Sequence, residues 1–174
     1  MKNLLLLLLS FIVAPILGQV STTIFEHKDA FRTIESLKRT DLNISKIMPP
    51  VDTNKLLEED KELEGLDVPF NFGYLIDVNY TLSDGTWENV NNKKIWSMKV
   101  LSKGAYSINF TFSELKLSSD AELYIFNPEG TMVYGPVTKE QNIDDGIFIT
   151  DLISGDEAII QIIEPINTKE KSVL

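Results

Sequence analysis

The sequence predicts an all-β domain: an antiparallel, jelly-roll-like β-sandwich preceded by short helical segments. Three observations predict it. Past residue 68, apolar residues recur with period two, as they do in strands with one buried face. Clusters of Gly, Asp, Asn, Ser and Pro separate these runs at short intervals, and short strands at such spacing form antiparallel sandwiches. The residues before them carry helical spacing instead, stopped by Met48-Pro49-Pro50, because proline lacks a donor and disfavours a helical residue before it.

In chain order, residues 1–18 read as a secretory signal peptide. Met1-Lys2-Asn3 is a positive tip, Leu4 to Val13 an apolar run broken only by Ser10, and Gly18 a small residue before Gln19. The run is shorter than the ~20 apolar residues that span a bilayer. Cleavage is expected after Gly18. It leaves 156 of 174 residues and takes the net charge from −10 to −11, since Lys2 is the one charge removed. The chain is therefore expected to be secreted, periplasmic or extracellular, with no membrane partner after cleavage. A chain of about 150 residues can bury one real core, and without cysteine the domain must rely on it. So acidic a chain is a poor partner for nucleic acid, which asks for clustered Lys and Arg. Asn43-Ile44-Ser45, Asn79-Tyr80-Thr81 and Asn109-Phe110-Thr111 fit the glycosylation triplet, and chance is the plainer reading of them.

Residues 19–67 form a leading segment. Phe25, Phe31, Ile34, Leu37 and Leu42 stand at rough helical spacing. A second helix is predicted over 52–66, capped by Asp52, striped by Leu56, Leu57 and Leu63, and ended by Gly65. Its acidic residues form a solvated face. The β-domain, roughly eight strands, is expected over 68–164. Phe72, Tyr74, Ile76, Val78 and Tyr80 alternate with the residues between them. Trp96, Met98 and Val100 alternate with Ser97 and Lys99, and Tyr106, Ile108, Phe110 and Phe112 with Ser107, Asn109 and Thr111. Ala121–Phe126 and Ala158–Ile163 are more continuously apolar, as central strands are. From Pro165 the periodicity is lost, so 165–174 reads as a linker or tail.

The inventory for catalysis is thin. A hydroxyl nucleophile is normally activated by a neighbouring base, usually His, and the one histidine, His27, lies in the leading segment. Cysteine nucleophiles are excluded, and no nucleophile elbow, zinc-binding histidine pair or phosphate-binding glycine loop occurs. Two opposed carboxylates would serve a glycosidase, but most Asp residues sit beside Gly, Pro or Asn, where turns want them. Asp84, Asp120, Asp144, Asp145 and Asp156 are loop carboxylates of the kind that ligate a structural calcium ion. Their spacing matches no EF-hand, and no other cofactor is expected. Among the aromatics Trp87, Trp96, Tyr74, Tyr80, Tyr106, Tyr124 and Tyr134, most fall on the apolar phase of a strand. Trp87 and Tyr134 sit beside turns and are the candidates for an exposed contact.

One ordered series of segments resembles a known family. It starts with Pro50, Asp52, Leu56-Leu57 and Glu59-Asp60, then Pro69 to Gly73 and Gly85-Thr86-Trp87. It continues with Trp96-x-Met98-x-Val100, Gly104 to Phe110, Leu123 to Phe126, Gly135 to Thr138, and Gly155-Asp156-x-Ala158. The order is similar to the N-terminal pro-domain of secreted bacterial lysyl-endopeptidase-like, trypsin-like serine proteases, over about residues 48–165. In that family the catalytic triad belongs to a following domain, so no catalytic residue carries over and this chain is not expected to be an enzyme. The resemblance implies a pro-domain that assists folding or latency of its cognate serine protease domain, in cis or in trans. It makes Lys169 and Lys171 candidate processing sites, and Asp84-Gly85 and Asn127-Pro128 rim positions. The readings that stand beside it are a free-standing carbohydrate-binding or adhesion module and a hydrolase using two carboxylates.

Overall fold

The computed structural model describes residues 20–24, 45–68, 73–141 and 146–174. The signal peptide, the helical spacing of Phe25 to Leu42, His27, Phe72, Asp144 and Asp145 lie outside the described residues. Within them the strands are β1 (Thr22–Ile24), β2 (Ser45–Ile47), β3 (Thr86–Val90), β4 (Lys93–Leu101), β5 (Ser107–Ile108), β6 (Thr111–Phe112), β7 (Glu122–Phe126), β8 (Met132–Val137), β9 (Phe148–Ile149), β10 (Ile153–Ser154) and β11 (Glu157–Pro165). One α-helix, α1 (Thr53–Leu63), follows β2.

The main sheet runs β1-β8-β7-β11-β4-β2, and β3 also pairs with β4. Two small ladders, β5 with β10 and β6 with β9, lie outside it. The fold is largely β, as predicted, in open mixed sheets. The purely antiparallel arrangement is corrected, because β2 joins β4 in parallel. The leading segment also supplies two edge strands, β1 and β2, rather than helices alone.

Local chemistry explains the elements that hold. Asn91 and Asn92 take φ of 47° and 65°, so β3 and β4 join through a two-residue turn of the type whose twist matches flanking strands. Between β7 and β8 the register slips after Leu123, and the extra residue falls at Gly135-Pro136, where a proline without a donor is tolerated. Asp52 accepts a hydrogen bond from the Lys55 N–H at 3.1 Å, and Gly65 stands just past the helix end at φ +84°.

The core forms on both faces of β4, β7 and β11. Trp96, Met98, Leu123, Ile125, Ile160 and Ile162 pack on one face, joined by Phe112, Leu115, Phe148 and Ile153 from the smaller ladders and loops. Ile95, Tyr124, Phe126, Val133, Ile159 and Ile163 form a second buried cluster. The sequence reading put Ser97 in water; it is buried, because β4 is covered on both sides. It stands opposite the buried Gln161, whose Nε2 donates to its Oγ at 3.1 Å, so each amide or hydroxyl has a partner.

Two further expectations are corrected. The alternation from Tyr74 to Tyr80 gives no strand, and Tyr74 and Val78, on its apolar phase, are 61% and 51% exposed. The outer edge of β4 is already occupied by β3 along Lys93–Ser97 and by β2 along Lys99–Leu101, so it offers this segment no ladder. The run from Tyr106 to Phe112 breaks into β5 and β6 around the exposed Asn109. The final residues, read as a linker or tail, are held on the body. Lys116 and Val173 exchange N–H···O bonds at 3.1 and 2.8 Å, and Leu174 packs against the larger cluster.

Trp96 is fully buried, and its Nε1–H donates to the Leu82 carbonyl at 2.8 Å. The ring lies so close to Gly85 that an added Cβ would overlap it. Gly85→Ala is expected to cost about 1–3 kcal/mol and lower the melting temperature by about 2–4 °C per kcal/mol. Tryptophan-fluorescence melts check this; an unchanged melt would mean that the ring has room to move.

Candidate functional site

The excursion between β2 and β3 is the most exposed part of the described chain. From 52 to 67 it holds seven acids and two lysines. Helix α1 buries no residue. Among the described residues its one ion pair is Lys55–Glu59 at 3.5 Å, a contact of small worth. An eleven-residue helix with no fully buried residue has little core packing to support it, and helices of this length are marginal in water on their own. Leu57 on the helix, and Leu66, Val68, Tyr74, Leu75 and Val78 beyond it, are all exposed. Apolar side chains gathered in one segment mark contact surfaces more often than scattered ones do.

The base of this arm is fixed. Met48 N–H donates to Leu101 O at 2.8 Å, and Met48, Tyr80 and Leu82 pack against the larger cluster. Lys46 Nζ donates to Asp84 Oδ1 at 2.9 Å and lies 5.2 Å from the Tyr80 ring centre, which ties β2 to the far end of the arm. Asp84 also closes a capping box, accepting the Thr81 N–H at 3.0 Å. That backbone bond first, and Lys46 second, hold its carboxyl below the usual aspartate range.

A second cluster sits where β11 ends. Glu164 is 4% exposed on the same face as Ile160 and Ile162. It accepts hydrogen bonds from Ser118 Oγ at 3.2 Å, Ser172 Oγ at 3.0 Å and Lys94 Nζ at 3.4 Å. Ser118 N–H in turn donates to Ser172 Oγ at 3.0 Å. Nearby, Glu170 accepts from Lys139 Nζ at 2.8 Å and from Ser119 Oγ at 3.3 Å. Lys139, with Ser119, Asp120, Glu122, Thr138 and Glu140, lines a cavity of about 400 Å³.

The sequence-predicted residues fall as follows. Trp87 is 39% exposed on β3, with Lys94 Nζ 5.6 Å from its ring centre, so it borders the Glu164 cluster. Tyr134 is 5% exposed and packs beside Phe148, and burial pushes its hydroxyl pKa up, with Asp151 adding to the shift. It is corrected from a contact candidate to a core residue, because β8 lies between β1 and β7. Tyr106, placed on the apolar phase, is 96% exposed. Lys169 and Lys171 are exposed on the held tail.

Of the calcium candidates, Asp84 binds Lys46 and Thr81, and Asp156 accepts the Gly104 N–H at 3.2 Å, as turn residues do. Asp120 lines the cavity in a left-handed turn conformation, φ 61°. Among the described residues no three His, Asp or Glu side chains gather as a metal site needs. Glu140, on the cavity wall, is held below the usual glutamate range chiefly by the Thr138 hydroxyl, and Glu170 chiefly by Lys139. A general acid needs the opposite shift. Among the described residues no helix is long and apolar enough to cross a membrane.

Sequence reasoning missed Glu164, Ser118 and Ser172. The available signal was a carboxylate ending the apolar run 158–163 in phase with its buried residues. No family model, no curated protein and no solved structure matches the chain.

A depressed carboxyl stabilises the fold at pH above its unfolded value, and that contribution is lost as pH falls through the folded one. The Lys46–Asp84 tie is therefore expected to stay closed while ordinary aspartates protonate, and to open only in more acidic solution. NMR titration of the Asp84 carboxyl carbon measures this; a midpoint at the ordinary aspartate value contradicts it.

Proposed function

We propose that the chain is the non-catalytic pro-domain of a secreted serine endopeptidase of the lysyl-endopeptidase-like type, which assists folding or latency of the protease domain. The observation that carries this reading is the arm: an acidic, apolar-studded segment fixed at its base by Lys46–Asp84 and with no fully buried residue along α1. A domain that binds only the folded protease stabilises it by mass action. Such binding calls for a presented surface on a rigid support rather than for a catalytic constellation. The series of segments resembling the family covers this arm and the strands beneath it. We read the β5/β10 and β6/β9 ladders, which share the larger cluster with the main sheet, as the second layer of a reduced sandwich. The reading includes export by the 1–18 signal peptide and requires no cofactor.

The test is inhibition. Residues 19–174 are titrated against the secreted lysine-specific serine endopeptidase of the same organism. Inhibition at about micromolar concentration or below is expected. Leu66→Asp and Leu75→Asp, both at exposed positions, are expected to weaken it about tenfold or more without moving the melt. No inhibition by the unaltered chain contradicts the proposal.

An adhesion or carbohydrate-binding module is the second reading, favoured by the exposure of Trp87 and Tyr106. It expects retention on a polysaccharide column that Trp87→Ala abolishes.

A further inference from the structure

Residues 166–174 combine exposed lysines with an anchored chain. Lys169 and Lys171 are exposed, as the substrate side chains of a lysine-specific protease must be. The peptide bonds that follow them are not free. On the far side of Lys171, Ser172 is 5% exposed with its hydroxyl between Glu164 and Ser118. Val173 is bridged by both backbone groups to Lys116, and Leu174 sits against the core. On the far side of Lys169, Glu170 is held by Lys139 at 2.8 Å and by Ser119 at 3.3 Å. On the near side Thr168 N–H donates to Pro165 O at 3.3 Å, which folds the chain back as it leaves β11.

A protease accommodates several residues on each side of the scissile bond in an extended segment, with their backbone groups paired to the enzyme. Here the Val173 N–H and C=O, the Thr168 N–H and the Glu170 C=O are already paired, and the side chains of Glu170 and Ser172 are anchored to the body. We infer that the tail is a latch: cutting after Lys169 or Lys171 is controlled by release of Ser172–Leu174 and Glu170 from the body, not by exposure of the lysines. Hydrolysis at Lys171 consumes one water, breaks the Lys171–Ser172 amide, and leaves a carboxylate on Lys171 and an ammonium on Ser172. Its place in precursor maturation rests on the pro-domain reading above; the latch itself rests on this chain alone.

The experiment is native digestion of the full chain with a lysine-specific endopeptidase, with initial rates of release of residues 170–174 and 172–174 followed by mass spectrometry. A synthetic peptide of residues 164–174 gives the unlatched rate. When opening is fast relative to cutting, the rate follows the open population. The two bonds are expected to be cut about tenfold or more slowly in the chain than in the peptide, with Ser172→Ala and Lys139→Ala each raising the rate several-fold. Cutting after Lys99, in the centre of β4, reports global unfolding and is expected to stay slow. If Ser172→Ala speeds Lys99 equally, that variant has lost the fold, and Lys139→Ala, at a surface position, decides. Cutting at the peptide's rate in the unaltered chain overturns the latch, and so does a rate that Lys139→Ala leaves unchanged. Failure of the inhibition assay with slow tail cutting would remove the pro-domain reading and leave the latch standing.

Discussion

Strand β11 is the piece on which the rest depends. It pairs along nine residues with β4, from Glu157↔Leu101 to Pro165↔Lys93, and along five with β7. Those two strands do not pair with each other, so without β11 the sheet is two separate halves: β2, β3 and β4 on one side, β7, β8 and β1 on the other. Its alternate residues also join the two buried clusters, Ala158, Ile160 and Ile162 in one and Ile159 and Ile163 in the other. A nearly continuous apolar strand at the centre is what such double burial requires. Because β11 comes late in the chain, most of the sequence must be present before the core can close, and pairing over such separations is intrinsically slow.

The same strand organises the polar features. Glu164 ends it in phase with Ile160 and Ile162, so a carboxylate is carried into the edge of the core. Left alone there it would be costly. Ser118, Ser172 and Lys94 satisfy it, and the tail is thereby drawn onto the body. The arm between β2 and β3 is the opposite case. One end meets β4, the partner of β11, through Met48, and the other is tied to β2 by Lys46–Asp84, but no residue of α1 is buried. Stability in this molecule is thus unequally distributed, with the elements that open most readily being those that present surface.

The legible part of the fold was the part governed by local pattern. The continuous apolar runs 121–126 and 158–163 become the central β7 and β11, and Asp52 and Gly65 bracket α1. What was not legible depends on which strand lies beside which. The alternation around Tyr74 to Tyr80 is as regular as that of β4, yet β4 has no edge left for it. Tyr134 beside a turn looked exposed, but β8 runs inside β1. At the candidate site, Trp87 was placed correctly at the surface. The Glu164 cluster joins residues 46 to 70 positions apart, along with the near neighbour Ser172, and no local pattern reports such a meeting.

A rigid sheet closed by β11 holds out an arm that buries no residue along α1. Native-state hydrogen exchange tests it most directly. Amides of Ile159 to Ile163 are predicted to exchange only through global unfolding, while those of residues 54–66 exchange within a few tens of times their unstructured rates. Protection of α1 equal to that of β11 would contradict the account, since it would mean that the arm belongs to the core.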